Sequence, residues 1–78
     1  MRVLTELHSK QAEFKDVKKV SQSGGHLNLV FDDFEALRSA ISKVTNMIVQ
    51  YGYVFDMEIE SNMSVLRLSQ DWQILIVE

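Results

Sequence analysis

His8 and His26 are the only side chains here that change charge near neutral pH without help from their surroundings. His26 follows Gly25 and would need a carboxylate to orient it before acting as a general base. Asp32 and Asp33 are its candidate partners, and together they make the case for a small enzyme or ligand binder. A solvent-exposed turn histidine is the commoner state of such a residue, and His8 has no partner suggested by spacing. Asp32 and Asp33 would also suit a divalent cation through oxygen. Adjacent residues rarely aim at one ion, however, and helix capping explains both. No metal site, cofactor site or catalytic residue is assigned.

Three further groups carry charge or rings. Asp56, Glu58 and Glu60 alternate along one segment and would line one face of a strand. Such a row suits acid–base work only where burial separates the pKa values; otherwise it suits a basic partner or simple solubility. Lys10, Lys15, Lys18 and Lys19 surround Phe14 and give a nucleic-acid reading for residues 10–19. Tyr51-Gly52-Tyr53 has the look of a stacking platform, but a helix end and a strand start explain it as well. No phosphate-binding glycine loop, dinucleotide fingerprint, Gly-x-Ser-x-Gly or His-x-x-x-His pair occurs.

Whatever positions these groups must be small. Seventy-eight residues suffice for one domain, and a chain of that length buries only about 60% of its unfolded surface. There is no cysteine, so neither disulfides nor thiolate metal sites supplement the core. Good packing or oligomerisation remains. An apolar fraction of 46% speaks for a folded chain. The net charge of −3, from 8 basic and 11 acidic side chains, disfavours a nucleic-acid partner. The longest apolar run, Ile74 to Val77, is too short to span a membrane. Met1 to Glu6 turns polar too early for a secretory signal, which leaves a cytoplasmic location as the default expectation.

The spacing predicts a helix from about Asp33 to Tyr51. Phe34, Leu37, Ile41, Val44, Ile48 and Tyr51 share one stripe, widened by Ala40 and Met47. Asp32 with Glu35 resembles a capping box, and Gly52 suits the position just past the helix end. Before it, Leu27, Leu29 and Phe31 alternate as a strand, paired with residues 16–22 across a turn at Ser23-Gly24-Gly25. After it come strands over 53–60, 63–69 and 72–77, read as a three-stranded antiparallel meander with turns at Ser61-Asn62 and Gln70-Asp71. The first fifteen residues fit a helix or a strand, and their helix formers and lack of a breaker favour a second helix. The fold expected is α+β: a mostly antiparallel sheet, an N-terminal hairpin plus the C-terminal meander, with one long helix on one face.

In that meander Met57 would face Leu66, Asp56 would face Arg67, and Leu66 would meet Leu75. The face away from the helix would carry Val54, Met63, Val65, Trp72, Ile74 and Ile76, too many large apolar groups for a solvated surface, so the N-terminal segment, a second copy of the chain or another protein would cover it. The reading that follows is a small intracellular protein-binding or regulatory module, acting as a homodimer or on a protein partner. Inhibitors, immunity-type proteins and accessory factors of mobile elements or phages have this size and composition. Trp72, Ile74, Ile76 and Val65 would form the contact surface, with Asp56, Glu58 and Glu60 at its rim. An exposed edge at Trp72 to Glu78 would also invite a further strand.

Overall fold

A computed structural model describes residues 1–52, 57–60 and 64–78, with Glu58 and Glu60 as backbone. The chain begins with strands, not a helix. β1 (Val3–Leu7) and β2 (Lys10–Phe14) form an antiparallel hairpin with Leu7 opposite Lys10. Its two-residue turn is His8-Ser9, at φ 48° and 70°. Two successive positive φ values mark the mirror-image turn whose twist matches a hairpin. The second helix expected over the first fifteen residues does not form; the turn that replaces it lacks the usual glycine and so leaves no mark in the sequence. Period-2 alternation of Val3, Thr5 and Leu7, all buried, outweighs helix propensity.

β3 (Val17–Ser23) and β4 (His26–Phe31) form the second hairpin. Gly24 and Gly25 occupy its turn at φ 58° and 78°, as their pairing in the sequence predicts. α1 (Phe34–Tyr51) follows. Its cap is Asp33, not Asp32: the Asp33 carboxylate accepts from the Ala36 N–H at 2.9 Å. Gly52 lies at φ 71° and its N–H closes the last turn on the Ile48 carbonyl. Leu37, Ala40, Val44, Met47 and Ile48 are buried, whereas Phe34 and Tyr51 are exposed. The reason is length. Eighteen helical residues reach about 27 Å, and strands of four to seven residues reach only about 13–23 Å, so the helix overhangs at its ends.

β5 (Met57–Glu60) and β6 (Val65–Leu68) pair with each other, and β6 pairs with β4. β7 (Gln73–Val77) does not complete a meander. It crosses to pair with β1. The described strands thus form a three-stranded sheet ordered β2-β1-β7 and a four-stranded sheet ordered β3-β4-β6-β5. The expected register is corrected accordingly. Leu68, not Leu66, stands opposite Met57; Glu58, not Asp56, holds the position opposite Arg67. Leu75 never meets Leu66. The Ser61-Asn62 turn, Val54 and Met63 lie outside the described residues.

One core joins both sheets and the helix. The three-stranded sheet contributes Val3, Leu7, Ala12 and Phe14; the four-stranded sheet contributes Leu27, Leu29, Leu66 and Leu68. Thr5 is also fully buried on that inner face, and its hydroxyl donates to the Ala12 carbonyl at 2.9 Å. The sheets meet where Met1 and Val17 exchange backbone bonds and where Phe14 stands edge-on to Phe31 at 6.5 Å. No helix among the described residues is long and apolar enough to cross a membrane.

Candidate functional site

The crossing of β7 redistributes the residues expected to form one contact surface. Trp72 is only 2% exposed, and its ring lies 6.2 Å from that of Phe14. It belongs to the core and cannot anchor a partner from the surface, which corrects its expected role. Ile74, opposite Thr5, is half-buried against the same core. Val65 is buried on the other sheet, opposite Val30. Asp56, and the side chains of Glu58 and Glu60, lie outside the described residues. Ile76 alone of the apolar set is exposed, at 44%.

Ile76 has new neighbours. Leu75 is 43% exposed and Val77 47%, so three consecutive large apolar side chains stand open on one strand. The register against β1 slips between Leu4 and Thr5, and Leu75 is the residue left without a partner there. This is a bulge, which bends the strand and increases its twist. Leu4, half-buried, stands opposite Ile76 and extends the apolar area across the outer face of the sheet. β7 is the last strand of its sheet, and among the described residues no strand pairs with its far side. The expected open edge is therefore present, on a different sheet.

An ionic ladder bounds this area. Arg2 pairs with Glu13 of β2 at 3.0 Å and with Glu78 beyond β7 at 2.6 Å. The Arg2 guanidinium is held above its ordinary pKa first by the hydrogen bond it donates to Glu78 and then by that carboxylate's charge. The ladder sets the Arg2 guanidinium beside the Glu78 carboxylate at the end of the apolar strand.

The other candidate groups separate. His26 and Asp33 lie at or beyond opposite ends of the six-residue β4, so about 20 Å of strand stands between them. The His26–Asp32/Asp33 constellation does not assemble. His26 instead borders a shallow cavity of about 250 Å³ with Gly24, Gly25, Ser69, Gln70 and Asp71. Among the described residues no three His, Asp or Glu side chains gather as metal ligands do. Of the basic segment, Lys15, Lys18 and Lys19 lie exposed along the β2–β3 link and β3, while Lys10 turns to the helix and sits 4.9 Å from the centre of the Tyr51 ring. Lys43, which the helical spacing puts on the polar face of α1, donates to the Glu13 carbonyl and lies 5.8 Å from the centre of the Phe14 ring. Its place on the helix is legible in the sequence, but its contact with β2 is not. Arg67, expected to face Asp56, donates to Asn28 at 3.0 Å.

Comparison with known protein families, curated proteins and solved structures finds no match to this chain.

Proposed function

We propose that this chain is a small protein-binding module that works through strand β7, and that its first partner is a second copy of itself. The observation carrying this is the run Leu75-Ile76-Val77, exposed on the outermost strand of the three-stranded sheet. An edge strand offers a row of backbone donors and acceptors, and natural edges are usually blunted by charge or proline. Here the charge next to the apolar run, Glu78, is paired with Arg2.

Self-association is favoured by symmetry. An antiparallel pair of β7 strands about a two-fold axis at Ile76 sets Ile76 against its own copy and Leu75 against the second copy's Val77. The apolar run is its own complement, and the Glu78 carboxylates fall to opposite ends of the pair. A 78-residue chain without disulfides also has little core to spare and gains from burying this strand. Inhibitor, immunity-type or accessory roles are compatible with such a module.

Sedimentation equilibrium tests the reading. A dimer is expected at micromolar concentrations, with the Val77 amide, which points away from β1, protected from hydrogen exchange in a concentration-dependent way. A protein that stays monomeric at the concentrations used for NMR, with a freely exchanging Val77 amide, removes the self-association.

A further inference from the structure

A second surface has a different chemistry. β2 runs alongside α1 in the opposite direction, because Lys10 at its start meets Tyr51 near the helix end and Glu13 near its finish meets Lys43 in mid-helix. Between them lies an open groove of about 470 Å³. Ser39, Ser42, Asn46 and Gln50 succeed one another at spacings of three and four, so they form one polar stripe along its helical wall. Lys10 and Lys43 also line it, and among the described residues no carboxylate does.

That is unusual ground in a protein of net charge −3. Neither lysine makes an ion pair among the described residues. Each is steadied by a ring instead: Lys10 over Tyr51, and Lys43 at 5.8 Å from the centre of Phe14 while donating to the Glu13 backbone carbonyl. Cation–π contact positions an ammonium without neutralising it. The nearest carboxylate on β2, Glu13, is engaged by Arg2 and Lys15 at 3.0 and 3.8 Å. Because the Glu13 carbonyl points at the helix, strand alternation puts the Gln11 N–H on the same side, adding a backbone donor.

We propose that this groove binds an elongated, phosphate-bearing small molecule. The two lysines stand eight helical residues apart as measured by their neighbours Lys43 and Tyr51, or about 12 Å, which suits a ligand with separated negative charges. Hydroxyl and amide donors fill the interval. Lysine ammonium groups meet phosphate as point charges, and the hydroxyls and amides of the stripe add donors for its several oxygens. The nearby Arg38 is turned away over the Phe34 ring at 5.2 Å and does not line the groove.

The test is amide chemical-shift mapping with inorganic tripolyphosphate, against sodium chloride of matched ionic strength. Saturable shifts confined to Gln11, Ser42, Asn46 and Gln50 are expected. Lys10→Gln, an exposed change that leaves the fold intact, should weaken binding about tenfold. Asn46→Ala should weaken it less. Shifts that fail to saturate, or that spread equally to Lys15, Lys18 and Lys19, would mean general charge attraction and overturn the proposal. So would saturable binding of a single-stranded oligonucleotide at the groove with none of tripolyphosphate, since that marks a strand track. The outcome is independent of whether β7 dimerises.

Discussion

The Trp72 indole lies 6.2 Å from the Phe14 ring at an angle of 56°, so a residue in the link between the two sheets closes the core against strand β2. Trp72 is the only tryptophan and is almost fully buried. Its emission should be blue-shifted in the native protein and move to the red on unfolding. Trp72→Ala should cost about 3–5 kcal/mol, enough to leave a domain this small largely unfolded. Trp72→Phe should keep the fold at reduced stability, measured by urea denaturation. A red-shifted native spectrum would show that the crossing from β6 to β7 is wrongly placed.

The two hairpin turns make a paired prediction. His8-Ser9 and Gly24-Gly25 adopt the same left-handed geometry, one with side chains and one without. Ser9→Gly should stabilise the protein by about 1 kcal/mol, by relieving a positive φ that a non-glycine residue resists. Gly24→Ala should destabilise it by a similar amount, because its new methyl meets open space and only φ matters. Gly25→Ala should cost somewhat more, since that methyl also approaches the Gln70 side-chain oxygen at 3.3 Å. Thermal midpoints of the three variants should therefore fall in the order Ser9→Gly, Gly24→Ala, Gly25→Ala. A loss of stability in Ser9→Gly would contradict the turn.

The helix start gives a third. The carboxylate of Asp33 accepts the Ala36 N–H, whereas Asp32 is exposed and does not hold that cap. Asp33→Ala should cost about 1 kcal/mol, and Asp32→Ala should change the midpoint little. Equal losses in both would restore Asp32 to the capping role the sequence suggested.

These positions also show what the sequence could reveal. The helix and the glycine hairpin rest on local signals: a repeated spacing of three and four from Leu37 to Ile48, and a glycine pair that tolerates positive φ. The N-terminal hairpin was obscured because His8 and Ser9 do a turn's work without a turn's usual residues, leaving helix propensity to decide. The route of β7 was beyond local reading. Ser69, Gln70 and Asp71 look the same whether the chain doubles back or crosses to another sheet. What decides is that buried Val3, Thr5 and Leu7 need a second neighbour strand, and that relationship spans nearly the whole chain. The contact surface failed with it, because placing Trp72 outside assumed the wrong sheet. Ile76 kept its exposure because either route leaves it on the outermost strand.

The last prediction separates surface association from folding. Ile76 is exposed in the isolated chain, so Ile76→Lys should alter monomer stability by no more than about 0.5 kcal/mol. In a two-fold pair each substitution counts twice and sets two ammonium groups against each other. Dimerisation should then weaken by about 2–3 kcal/mol, or roughly a hundredfold. Val49→Lys makes the same change in charge at the most exposed apolar residue of the helix, far in sequence and surface from β7, and should leave association unaltered. Sedimentation equilibrium of both variants, with urea midpoints taken below the dimer's dissociation constant, distinguishes the cases. Equal weakening by both would assign the effect to net charge and withdraw β7 from the interface. Weakening by Val49→Lys alone would move the interface to the helix.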